Sequence, residues 1–246
     1  MKFDFLAKLR EKRASAKAAA AGYEFYNILN PHSPYNVAES YRNLYANITY
    51  LPIESKCKKI AVTSAIAGDG KTTVAVNLAI TLAQNMSNAK ILLIDTNIRK
   101  PDVELMLPDG YQGRGLSEYL SEKDTKPNIV STAVDGLFVL YAGAFSLNPM
   151  RLISSERMSE LIRFCEENYD YIIMDTTALS VSSEALLLKK NVDGYVLVAR
   201  SENSDVDSLS KAIESLQTLG ANIFGLVLTG EAVKGEKKRN FFFHKK

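Results

Sequence analysis

Tryptophan is absent from this sequence of 246 residues, and cysteine and histidine occur only twice each. Cys57 and Cys165 lie far apart and form no CxxC pair, which argues against a disulfide framework or a zinc cluster. His32 and His244 both stand near the ends, so histidine-driven nucleophilic catalysis and histidine metal cages find little support. No apolar run approaches the ~18 residues that span a bilayer. The N-terminus also lacks the apolar core of a signal peptide. These absences point to a reducing, cytoplasmic setting.

What is present is globular in composition, with 46% apolar and 24% charged residues, and the length suits one or two domains. The net charge of +2 hides an uneven distribution. Residues 1–17 carry six basic side chains and residues 234–246 six more, while the body between them holds 18 basic and 25 acidic residues. An acidic body with two basic ends suits an anionic membrane surface or nucleic acid, and solvated tails are the plainer alternative.

From Lys59 onward, short apolar runs alternate with longer amphipathic stretches. Residues 60–63, 91–94, 137–141, 171–174, 195–199 and 223–228 read as strands apolar on both faces. Residues 72–86, 148–168, 182–190 and 205–219 read as helices. This alternation predicts an α/β fold, with a mostly parallel central sheet flanked by helices. Residues 99–134 are less regular and read as short helices and loops. Ahead of the sheet, residues 2–21 and 37–48 read as helices separated by Asn30-Pro31-His32-Ser33-Pro34.

The strongest chemical signal is Ser64-Ala65-Ile66-Ala67-Gly68-Asp69-Gly70-Lys71-Thr72-Thr73, which follows a strand and opens a helix. Small residues at Ala67, Gly68 and Gly70 let backbone N–H groups, those of Asp69 and Thr73 included, converge on phosphate oxygens. The helix start adds its positive end. Lys71 has the reach for β- and γ-phosphates, and the Thr72 hydroxyl suits Mg²⁺. Ala65 replaces the first glycine of the usual pattern.

Two further motifs follow in order. Ile91-Leu92-Leu93-Ile94-Asp95 and Tyr171-Ile172-Ile173-Met174-Asp175 each put a carboxylate at the carboxyl end of a buried strand, where ligands of open α/β sheets gather. Asp175 suits Mg²⁺ coordination through water; Asp95 suits either that or the capture of a proton from an attacking hydroxyl.

With these three motifs the chain resembles the bacterial tyrosine kinases of capsule and exopolysaccharide export, P-loop proteins whose motifs are called Walker A, A′ and B. The resemblance runs from about Ser33 to Thr229 and takes in Glu39 and Arg42, which match a helix that family uses for ring assembly. It implies binding of ATP and Mg²⁺, phosphoryl transfer to tyrosine on protein substrates, often a neighbouring copy in a homo-oligomer, and activation by a membrane chain-length regulator. The cytoplasmic chain would then be recruited to the inner face of the cell membrane. Ile66 stands where septum-site and partition ATPases carry their signature lysine, so nucleic acid is not an expected partner.

The sequence departs from that family's pattern in several places. Asn97 stands where the A′ motif has a second acid, Tyr45 where the assembly helix has a second arginine, and Thr177-Ala178 where a proline often follows Walker B. The tail ends Phe241-Phe242-Phe243-His244-Lys245-Lys246 and lacks the family's tyrosine cluster, no tyrosine following Tyr195. Six tyrosines, Tyr23, Tyr26, Tyr35, Tyr41, Tyr45 and Tyr50, precede the phosphate loop instead. The expected organisation is a basic extension over 1–32, a P-loop kinase-like domain over 33–230 and a basic tail over 231–246. A catalytically weak nucleotide switch that assembles on the membrane partner is the alternative reading.

Overall fold

The computed structural model describes residues 28–30, 33–108, 111, 113–123 and 125–230. Its strands are β1 (Lys58–Ser64), β2 (Ile91–Asp95), β3 (Val130–Ser131), β4 (Leu137–Leu140), β5 (Tyr171–Asp175), β6 (Gly194–Arg200) and β7 (Ile223–Thr229). They form one sheet in the order β3-β4-β2-β5-β1-β6-β7. Every pairing is parallel except that of β3 with β4. The mostly parallel sheet expected from the apolar runs is therefore present, with one antiparallel edge. That edge strand has only two residues, too few to leave a periodic signal.

Strand alternation explains the layering. Ile91 and Leu93 of β2 join the core on one face of the sheet, and Leu92 and Ile94 join the core on the other. In β5, Ile173 follows the first pair, Ile172 and Met174 the second. A sheet buried on both sides needs helices on both sides.

The described helices are α1 (Tyr35–Thr49), α2 (Lys71–Asn85), α3 (Val103–Met106), α4 (Leu116–Leu120), α5 (Pro149–Ile153), α6 (Glu156–Asn168), α7 (Glu184–Leu187) and α8 (Val206–Thr218). The single helix expected over 148–168 is two. Ser155 interrupts it, its hydroxyl accepting from the Met158 N–H at 3.2 Å as the cap of α6. The helix expected over 182–190 is also shorter, passing from α7 into a 3₁₀ turn at Leu188–Asn191. The expected helix at 2–21, His32, His244 and the basic tail lie outside the described residues.

α2 is buried almost all round, because it lies between the sheet and α1. Leu44 and Ile48, one turn apart on α1, enter the same core. Each such side chain contributes about 1.5–3 kcal/mol by leaving water. Asn77 of α2 fixes the leading segment: its Oδ1 accepts from the Leu29 N–H at 2.8 Å and its Nδ2 donates to the Tyr41 hydroxyl at 3.3 Å. Burial pushes the Tyr41 phenol up to about 12. One face of α1 thus packs against the domain's core.

Candidate active site

The strand order places the chemistry. β1 is flanked by β5 and β6, and β2 lies beyond β5. The chain leaves β1 for β2 on one side and reaches β6 on the other, which makes the carboxyl ends of these strands a topological switch point. The loop after β1 and the last residues of β2 and β5 meet there.

The loop turns through Gly68 (φ +90°) and Gly70 (φ +92°), a left-handed backbone that side chains rarely adopt. Space is not the constraint, since a Cβ on Gly70 would sit 3.6 Å from Thr229 Oγ1. Ala67 and Gly68 form the exposed crest, while Asp69 is fully buried. Ala65 is also buried, and its carbonyl accepts from the Ser180 N–H at 3.0 Å. The position lacking the usual glycine therefore lies in the packed base of the loop.

Gly70 caps α2, whose first N–H groups have no intrahelical partners and face the loop's end of the helix. Lys71 is nine-tenths buried at that first turn, with Thr72 and Thr73 half-buried beside it. The Thr72 hydroxyl donates to Asp175 Oδ2 at 2.7 Å. Asp175 Oδ1 is buried and has no hydrogen-bond partner. An orphaned carboxylate oxygen beside a threonine hydroxyl fits the oxygen-ligand chemistry of Mg²⁺, which keeps most of its water and takes few protein ligands. Among the described residues no three His, Cys, Asp or Glu side chains converge on a metal position.

Asp95 and Asp175 are direct register partners on neighbouring parallel strands. Both are fully buried. Burial raises the Asp175 carboxyl to about 7, against the opposing pull of Thr72 and Lys71. Asp95 is held well above the usual carboxylate range, first by burial and then by the charge of Asp175. Its Oδ1 accepts from the Asn97 N–H at 2.9 Å and its Oδ2 from the Val103 N–H at 3.3 Å. The loop after β2 thus folds back over its own carboxylate.

Asn97, where the resembled family has an acid, is occupied locally. Its Nδ2 donates to the Lys100 carbonyl at 2.7 Å and its Oδ1 accepts from the Lys100 N–H at 3.3 Å. It builds a turn. Two residues on, Arg99 Nε pairs with Glu184 Oε1 at 2.8 Å, tying the loop after β2 to the segment after β5.

Sequence reasoning missed Asp102. It opens α3 without capping it, and its charge acts on both Asp95 and Asp175 while facing Lys100 and Lys71. Burial pushes its own carboxyl up. An acid directly after Pro101, seven residues beyond Asp95, was the available signal. Glu39 and Arg42 stand apart from this centre, paired with each other at 2.9 Å on the half-exposed face of α1. Such a pair contributes about 0–1 kcal/mol to folding.

Comparison with known proteins agrees with this geometry. Residues 56–245 match the ParA family model, described as NUBPL iron-transfer P-loop NTPase. The chain is 32% identical to the tyrosine-protein kinase YwqD of Bacillus subtilis over 83% of its own length and 86% of that protein. It superposes on the kinase domain of the Escherichia coli tyrosine kinase ETK with a TM-score of 0.77 at 28% identity, covering 89% of this chain and 85% of that one. The chimerical protein CapA2B2 gives a TM-score of 0.75 at 33% identity, covering 82% and 87%. The fold, the three ordered motifs and these likenesses agree: this chain belongs to the bacterial tyrosine kinases, a branch of the ParA-type P-loop NTPases.

Proposed function

We propose that this protein transfers the γ-phosphoryl group of ATP to protein tyrosine, and that it does so in capsule or exopolysaccharide synthesis and export with a membrane chain-length regulator as activator. The observation that carries the catalytic part is the convergence of the Thr72–Asp175 hydrogen bond, Lys71 and buried Asp95 at one switch point. Mg²⁺, when bound, supplies countercharge to the phosphates.

In this reading the N–H groups of residues 67–73 and the Lys71 ammonium grip the phosphates and stabilise charge on the transferring group. Thr72 and Asp175 would hold Mg²⁺. Asp95 takes the phenolic proton as the tyrosine oxygen bonds to the γ-phosphorus and ADP departs. Its raised proton affinity is the direction a general base needs. The catalytic unit is residues 33–230, and the basic ends over 1–32 and 231–246 serve an anionic membrane face. Glu39 and Arg42 serve contacts between copies.

The second reading, a nucleotide switch that assembles without tyrosine transfer, is favoured by one observation: the Asn97 side chain is consumed in its turn and supplies no second acid.

Incubation with γ-labelled ATP, Mg²⁺ and the cytosolic tail of the membrane partner distinguishes the two. The kinase reading expects acid-stable label on tyrosine that Asp95→Asn removes; label only in free phosphate contradicts it and supports the switch. Residues 231–246 hold no tyrosine, so self-labelling within residues 1–246 is expected on exposed phenols. Among the described tyrosines these are Tyr35 (77% exposed) and Tyr50 (86% exposed), so mass spectrometry should find phosphate there and not on buried Tyr141 or Tyr195. Label retained in full by Tyr35→Phe/Tyr50→Phe would overturn that assignment.

A further inference from the structure

Asp69 poses a physical problem. It is a fully buried acid inside a loop shaped for a polyanion, and a negative charge there opposes phosphate. Its surroundings resolve the conflict. Oδ1 accepts from Asn203 Nδ2 at 2.9 Å and Oδ2 from the Ser204 hydroxyl at 2.8 Å. The same Asn203 amide donates to the Ala67 carbonyl at 3.1 Å, and the Thr229 hydroxyl donates to the Asp69 carbonyl at 2.7 Å.

These donors come from the ends of the next two strands. Asn203 and Ser204 belong to the turn after β6, which the Arg200 carbonyl closes by accepting from both their N–H groups at 2.9 and 2.8 Å. Thr229 ends β7. The charge of Asp69 and two carbonyls of the loop are thus all engaged on the β6–β7 side. A loop fixed in this way keeps its N–H groups available to a ligand with no reorganisation when the ligand arrives.

We infer that Asn203, Ser204 and Thr229 are positioning residues for the phosphates, acting through Asp69 as an outer brace on the loop. The inference rests on the nucleotide-binding reading above and adds residues outside its three motifs. Loose braces cost affinity for phosphate, whereas a merely structural role costs stability alone.

Titration calorimetry with Mg-ADP, alongside the thermal midpoint of the nucleotide-free protein, separates these roles. Ser204→Ala removes a hydrogen bond to a charged group, so the dissociation constant is expected to rise about tenfold. Ser204→Thr keeps the hydroxyl and should restore it. Asp69→Ala is the sharpest variant, because the two accounts differ in sign. Loss of repulsion alone would tighten binding, whereas a methyl group accepts from neither Asn203 nor Ser204, so the brace expects weaker binding. Thr229→Val, which tests the third donor, keeps the question open to measurement if Ser204→Ala folds poorly.

Wild-type affinity in Ser204→Ala and Thr229→Val, or tighter binding by Asp69→Ala, overturns the brace and leaves nucleotide binding intact. A wild-type protein that binds no Mg-ADP overturns both.

Discussion

Replacing Asp175 by asparagine is expected to impair phosphoryl transfer and, at the same time, to stabilise the nucleotide-free protein. The first effect follows from loss of the carboxylate proposed to hold Mg²⁺, with turnover falling about 10²–10³-fold, the scale of removing one preorganised electrostatic group. The second follows from proton linkage. Burial lifts Asp175 from an ordinary 3.8 to about 7 in the folded chain. A carboxyl raised on folding gives stability that is present in full below its unfolded value and is lost as pH rises through the folded value. Asparagine copies the protonated form at every pH.

The variant should therefore melt above wild type at pH 8, by at least ~2–4 °C for a chain of this size. The gap should close as the pH is lowered towards 4. Scanning calorimetry of the two proteins at both values checks this. A variant less stable than wild type at pH 8 would mean that the carboxylate serves folding.

Lys71→Ala carries the other large effect. The ammonium is nine-tenths buried at the start of α2 and its charge acts on Asp175 and Asp102. On the proposed reading, its removal takes the motif lysine from the phosphate cradle and leaves those carboxylates facing the phosphates. Affinity for Mg-ATP is expected to fall about 10–100-fold, and transfer to fall further. Lys71→Arg should not rescue, because a planar fork does not replace a compact ammonium in an enclosed position. Equilibrium binding and labelled-phosphate transfer measure the two parts. Near-normal turnover in Lys71→Ala would remove it from the mechanism.

The parts legible in the sequence were those built on local pattern. The doubly buried strands declared themselves as short runs such as Ile91–Ile94, and the phosphate loop as glycines just ahead of Lys71. The helix boundaries were harder. Ser155 splits the expected helix over 148–168 because a single hydroxyl competes for backbone N–H, which hydrophobic spacing does not record. The strand at Val130–Ser131 exists only because β4 offers it an edge. Nothing near residue 69 pointed to Asn203, Ser204 or Thr229, whose contacts span 134 to 160 residues. Asp102 was hidden for the same reason: its neighbours Lys71 and Asp175 come from other strands' ends. Asn97 was visible as a departure, but its turn-building role needed the Lys100 backbone to be placed.

One titration reaches the root of the account. Mg-ADP added to the purified full chain should release or absorb heat with saturation at a single site, and the signal should vanish when Mg²⁺ is chelated or Lys71 is replaced by alanine. A flat trace from folded wild-type protein with Mg²⁺ present would contradict it.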